Sequence, residues 1–279
     1  MGKFLKGGII QKQKLEMKGV NSARRRLDQL LSSWHAALMF YTCLPIPPSW
    51  PLEFRQIACW VPGVGGVIGG ILAGIDWLLA IAHFPSTVAS ALVVVLGIGL
   101  TGGLHIDGVM DTADGLAVMD KDRRLAVMAD SRTGAFGGMA VVALLLLKVI
   151  ALAAITQHRG FVLIAISVWG RWAQQWAIAA YPYLKKEGKG AFHKLALPTW
   201  RAALPSLLLI VLLSLSVGLI GWLPMMLLIK TTAGGLILAG LASYYFYRQL
   251  GGHTGDTYGA VVEWTEALLL CALSAGQMS

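Results

Sequence analysis

Asp107, Asp111 and Asp114 stand at i, i+4 and i+7 within the stretch from Gly102 to Gly115. On a helix these positions share one face. Three carboxylates on one face repel one another unless a cation sits among them. A hard cation such as Mg²⁺ takes oxygen ligands, commonly one or two carboxylates plus substrate phosphates. Mg²⁺ is therefore the expected cofactor, with Asp107, Asp111 and Asp114 as its ligands. A merely solvated acidic face is the plainer reading. Against it, the acids are interleaved with Val109, Met110, Ala113, Leu116 and Ala117 and adjoin an apolar span. Acids in that setting are costly and usually functional. His105 lies two residues before the first acid. A neutral imidazole there could take a proton from an attacking hydroxyl, or could orient a carboxylate. Gly102, Gly103, Gly108 and Gly115 would let backbone approach a ligand or a neighbouring helix.

Further polar groups follow. Asp130, Ser131, Arg132 and Thr133 precede an apolar helix whose free N–H groups could meet an anion. Arg132 suits bidentate contact with phosphate. For Lys121, Arg123 and Arg124, a solvated loop explains the charges as well as substrate contact does. Arg171 falls midway along an apolar window and needs a partner there: an acid or a substrate phosphate. The segment Gly251-Gly-His-Thr254-Gly-Asp256 opens the last window, which also carries Glu263 and Glu266. Asp256 and Glu263 share a helix face. They could complete the metal site or pair with Arg171.

The elements that position these groups are membrane helices. Of 279 residues 56% are hydrophobic and 13% charged, with a mean hydropathy of +0.67. A soluble domain carries roughly 25% charged residues. Apolar windows occupy 58–83, 86–104, 134–156, 161–181, 204–229, 231–247 and 258–275. A span needs about 20 such residues. Pro224 and Lys230 leave the count between 204 and 247 open. Residues 29–46 are apolar but short and run into Leu44-Pro-Ile-Pro-Pro48, which reads as an interfacial or re-entrant helix ended by proline. The expected fold is an all-α polytopic bundle of about seven spans. Residues 1–28 form a basic cytoplasmic arm with no cleavable signal, and 29–279 a membrane-embedded catalytic domain.

Loop charge sets orientation. The connections at 105–133, 182–203 and 248–257 hold the Lys and Arg residues, so they face the cytoplasm together. The net charge of +9 reflects this bias. The basic residues form no single soluble face, which argues against nucleic acid. Three widely spaced cysteines form neither a disulfide framework nor a zinc site.

These blocks together resemble the cobalamin synthase family, the adenosylcobinamide-GDP ribazoletransferases. The resemblance rests on Gly102-Gly-Leu-His-Ile-Asp-Gly108 with Asp111 and Asp114-Gly115. It continues through Asp130-Ser-Arg-Thr-Gly134, Gly170-Arg171, Tyr181-Pro-Tyr183 with Glu187-Gly188, and Gly252 to Gly259 with Glu263 and Glu266. Phe40 to Pro47 looks like the family's N-terminal block, though position 43 is Cys where the family often has Arg. The resemblance implies Mg²⁺-dependent transfer from adenosylcobinamide-GDP to α-ribazole or its 5′-phosphate, with release of GMP. It implies a bacterial inner-membrane enzyme whose site faces the cytoplasm. On this reading His105, Asp107, Asp111 and Asp114 are catalytic, with His105 or Asp114 as base. Arg132 and Arg171 hold phosphate, beside Asp130, Ser131 and Thr133. Thr254, Asp256, Glu263 and Glu266 support substrate or metal. The partners are these substrates and the lipid bilayer, and a homo-oligomer stays open. A CDP-alcohol phosphotransferase-like enzyme would place Ala-Arg after the first Asp-Gly; here Val109-Met110 follow. A transporter or channel would string its acids across the bilayer.

Overall fold

The apolar windows become helices wherever glycine, proline or charge does not interrupt them. The computed structural model describes residues 25–130, 132, 134–185 and 190–275. Helix α1 covers residues 25–41. A 3-10 turn, Ile57–Trp60, leads into α2 (Val61–Ile81), α3 (Ser86–Leu100), α4 (Leu104–Ala117) and α5 (Lys121–Val127). Then come α6 (Ala135–Ala154), α7 (Arg159–Ala180) and α8 (Ala191–Ala196). The chain ends with α9 (Leu204–Leu219), α10 (Met225–Leu250) and α11 (Gly255–Ser274). No strand occurs among the described residues; Tyr183 and His253 make an isolated bridge.

Among the described residues four segments are long and apolar enough to cross a membrane: Ile57–Ile81, Ala135–Ala154, Trp200–Leu219 and Met225–Leu250. The α3–α4 pair, bent by 90°, can count as a fifth. The expected seven is too high by this measure. The two windows that drop out are α7 and α11, of 22 and 20 residues. Both are long enough, but α7 carries Arg159, Arg171, Gln174 and Gln175, and α11 carries Asp256, Glu263 and Glu266. They can do so because α2, α4, α6 and α10 cover them, whereas the α9 segment is only 6% buried. The polar helices form the core and the apolar ones the lipid-facing shell. Pro224 ends the ambiguity near residue 224 by standing at the N-cap of α10, while Lys230 lies inside that helix.

The central contact is α2 against α7. A Cβ on Gly65 would overlap the Ser167 carbonyl, and one on Gly69 would come within 2.6 Å of Ile164 Cα. Small residues four apart thus let two backbones touch, which is how membrane helices gain packing without a hydrophobic drive. At one end, the Arg159 guanidinium grips Asp76 at 2.6 Å and also bonds Ser86, Ser90 and the carbonyls of Leu152 and Ile155. This joins the α2–α3 and α6–α7 turns.

The opposite end gathers the polar connections. Gly102 and Gly103 adopt left-handed φ of 60° and 73°, and α4 leaves α3 there. Fourteen residues long, α4 packs on the first turns of α6 and α11. The 90° bend makes α3 the crossing part of that pair and leaves α4 as its polar end, outside the crossing part. Helix α1 is not among the helices able to cross a membrane. It stops at Tyr41, ahead of the proline run. Most of the basic arm lies outside the described residues.

Candidate active site

Helix α4 touches the start of α11 at Gly108, where a Cβ would overlap the Asp256 carbonyl. That close approach sets the acids of two helices against each other. Burial, then the charges of Asp107 and Asp256, push the Asp111 carboxyl up to about 6, against the opposing pull of Lys185. Burial and the neighbouring carboxylates thus both disfavour a second charge on this face, and Lys185, paired with Asp256, opposes them.

Asp256 is itself held in place. Thr254 caps α11 in a capping box with Thr257, and its hydroxyl donates to Asp256 Oδ2 at 3.1 Å. Lys185 Nζ reaches the same oxygen at 3.1 Å. Asp114 has a different task. Its Oδ2 accepts from the Gly134 N–H at 2.7 Å and its Oδ1 from the Gly137 N–H at 2.8 Å. Both donors belong to the first turn of α6, so Asp114 caps that helix and complements its dipole.

Behind the acids lies a buried charge network. Lys148 on α6 donates to Glu263 at 2.5 Å and to Glu266 at 2.7 Å. Glu266 also pairs with Arg171 on α7. Two cations meet two anions, so the network is neutral, as burial inside a bundle demands. Arg171 Nη2 lies 3.4 Å from Nδ1 of His105. A guanidinium only donates, so Nδ1 accepts and the ring proton sits on Nε2. Burial, then Arg171 and Lys148, keep this imidazole well below its usual range, hence neutral.

A pocket of about 230 Å³ opens between these groups, lined by His105, Asp107, Gln174, Asp256 and Tyr258 with Phe40, Tyr41 and His193. The sequence model of the family described as cobalamin-5-phosphate synthase matches residues 33–274. The chain belongs to this family.

Curated relatives agree. It is 53% identical to an adenosylcobinamide-GDP ribazoletransferase of Thermosynechococcus vestitus over 91% of this chain and all of the relative. The protein of that name from Trichormus variabilis is 51% identical, over 88% and 97% of the two chains. That from Synechococcus elongatus is 49% identical, over 90% and 100%. No solved structure matches the chain. The family assignment makes the chain a cobalamin synthase-type transferase rather than a CDP-alcohol phosphotransferase, transporter or channel.

Within this family member the expected residues separate into groups. His105, Asp107 and Asp256 line the pocket, and Asp111 lies one turn along α4 from Asp107. Asp114 faces α6 instead, because two N–H groups claim both its oxygens. Thr254 is fully buried and spends its hydroxyl on the cap and on Asp256. Arg171, Glu263 and Glu266 form a charged wall behind His105 and, with Lys148, line a separate small cavity rather than this pocket. Asp130 and Arg132 pair with each other at 2.7 Å on the surface, with Arg132 87% exposed. Neither lines the pocket, and the hydrogen bonds from Arg132 hold the Asp130 carboxyl down to about 2. Ser131 and Thr133 lie outside the described residues. Arg124 is structural: buried, it bonds Val118 and Gln249 and ties α5 to the end of α10.

Sequence reasoning missed Lys148, Gln174 and Tyr258. Lys148 left a signal, since a single lysine in an apolar window requires a buried acid. Gln174 sat one turn from Arg171. Tyr258 had no marker beyond its place in the Gly252–Gly259 block.

Proposed function

We propose that the chain joins the two halves of the cobalamin nucleotide loop, as the printed name of its relatives describes. A ribose hydroxyl of α-ribazole, or of its 5′-phosphate, forms a bond to the phosphorus attached to cobinamide. The phosphorus–oxygen bond to GMP breaks, and GMP leaves with the electron pair. One observation carries this reading. Asp107 and Asp256 line a single pocket, Asp111 lies one turn along α4 from Asp107, and Lys185 meets this cluster at Asp256.

The donor set fits Mg²⁺, since it is all oxygen and short of positive charge. Asp107 and Asp111 would hold the ion, with Asp256 beside them. Among the described residues no three His, Cys, Asp or Glu side chains form a metal site alone. Substrate phosphate oxygens would complete the shell. When bound, the ion offsets charge on the diphosphate. The neutral wall keeps Arg171 and Lys148 from competing for those acids. A carboxylate of the mouth takes the hydroxyl proton, and His105 offers its Nε2–H to a phosphate oxygen. On this reading the mouth faces the cytoplasm from the bacterial inner membrane, where soluble nucleotides reach it, and the Lys and Arg of the connections support that orientation.

The test is direct. Purified protein in detergent, given adenosylcobinamide-GDP, α-ribazole and Mg²⁺, should release GMP, and chelation of Mg²⁺ should stop release. Asp111→Asn should lower the rate by roughly two orders of magnitude or more. A normal rate in that variant would sink the metal-ligand role.

A further inference from the structure

Three buried polar atoms at this pocket have no hydrogen-bond partner among the described residues. They are Nε2 of His105, Oε1 of Gln174 and the hydroxyl oxygen of Tyr258. The three residues are 1%, 4% and 2% exposed, and all three line the pocket. A buried polar atom left unsatisfied costs about 1–3 kcal/mol. Three at one cavity is far from the native norm, unless a ligand supplies the missing bonds.

Their chemistry is specific. The His105 Nε2 is a donor, because Nδ1 accepts from Arg171. The Gln174 carbonyl is an acceptor, and the Tyr258 hydroxyl serves as either. Neither Gln174 nor Tyr258 carries charge, so these two do not select a phosphate, and the His105 N–H is left for the phosphate that follows. The remaining walls are rings. Tyr41 and His193 stack at 5.8 Å, Phe40 stands edge-on to both, and Tyr258 completes the set. Such walls stack on a planar π system. A volume of about 230 Å³ lies below the roughly 300–1,000 Å³ of sites that take a whole drug-sized ligand. It admits one ring system, not a complete dinucleotide-like substrate.

We infer that this recess binds the uncharged heteroaromatic base of a nucleoside, with Gln174 and Tyr258 as specificity-determining residues. The inference rests on the proposed nucleotidyl substrates. Two nucleosides share this chemistry: the guanosine that leaves as GMP and the ribazole that attacks. The acids at the mouth then meet the phosphate that follows the base.

Tyr258→Phe removes one oxygen and keeps the ring; Gln174→Leu removes the acceptor. In the full-length protein in detergent, KM is measured for adenosylcobinamide-GDP and α-ribazole separately, and binding of GMP and of α-ribazole by calorimetry. Each variant should raise KM for one substrate about tenfold and leave the other within twofold. Calorimetry should show the same selective loss. A rise for α-ribazole assigns the recess to the acceptor, and a rise for adenosylcobinamide-GDP assigns it to guanosine. Unchanged KM values, equal rises for both substrates, or a fall in kcat alone overturn the inference. If the wild type binds a nucleoside that both variants lose, yet releases no GMP, the proposed reaction fails and the subsite stands. Should Gln174→Leu not fold, Tyr258→Phe alone decides.

Discussion

Arg171 Nη2 lies 3.4 Å from Nδ1 of His105, and that contact decides which way the imidazole faces chemically. With Nδ1 accepting, the exposed chemistry of the ring is an N–H donor. His105 then stabilises charge instead of collecting a proton. His105→Ala should lower kcat by roughly 10²–10³-fold, the usual cost of one donor to a developing anion. The pH–rate profile should keep its shape between about pH 5.5 and 8, because the ring stays neutral throughout. Loss of an acidic limb in His105→Ala would show instead that His105 is the base.

Lys148 holds both acids of the wall, so its removal strands two buried carboxylates with only Arg171 between them. Lys148→Met should cost about 3–5 kcal/mol, the penalty of breaking a buried pair. The double variant Lys148→Met with Glu263→Gln restores charge balance, since Glu266 keeps Arg171. It should recover at least half of the lost stability. Thermal unfolding in detergent reads both, and strictly additive losses would deny the coupling.

How far the sequence reaches is clear at these same residues. Spacing put Asp107 and Asp111 on one face, and Asp256 and Glu263 on another, whereas it is Glu266 that pairs with Arg171. It also marked Arg171 as a cation in need of a partner. It did not choose that partner, because the choice depends on which face of α11 turns toward α7. The i+7 position of Asp114 read as a third ligand, but only the fold shows that α6 begins beneath it. Likewise α7 and α11 look like ordinary spans with flaws, and it is packing that makes them the core. The apolar count fell short of seven for that reason: a hydropathy rule sees lipid-facing helices and overlooks those shielded from lipid.

Asp111 and Asp114 are one turn apart and should respond oppositely. Asp114→Ala leaves the Gly134 and Gly137 N–H groups without their cap and should cost about 1–2 kcal/mol. Gly137→Ala should be worse, since its Cβ would lie 2.5 Å from Asp114 Oδ2 and 2.9 Å from the Met110 carbonyl. Asp111→Asn removes a repelling charge and should leave the thermal midpoint unchanged or raised in the absence of Mg²⁺, while activity is lost. A drop in midpoint for Asp111→Asn equal to that for Asp114→Ala would mean that both acids are structural.

Three buried imidazoles shape the pH dependence of stability, His105 of the site and two beyond it, while the raised Asp111 carboxyl acts in the opposite sense. Burial holds both His193 on α8 and His253 before α11 down to about 4; for His253, Lys194 adds to the effect and the Ser243 carbonyl opposes it. His193 Nδ1 meets the Tyr41 hydroxyl at 3.3 Å, and His253 bridges Thr257 and the Ser243 carbonyl at 3.0 and 3.2 Å. An unfolded histidine titrates near 6.5. Above about pH 6.5 neither state binds the proton, and the contribution is flat. As pH falls from about 6.5 toward 4, the unfolded chain takes up protons that the folded chain refuses, so stability falls. Each ring contributes at most on the order of 3 kcal/mol to that loss. The thermal midpoint should therefore drop between pH 7 and 5. His193→Asn keeps an amide near Tyr41 but does not titrate, and it should make the slope measurably shallower. A slope left unchanged in His193→Asn would mean that this ring accepts a proton in place, and so is not held neutral by burial.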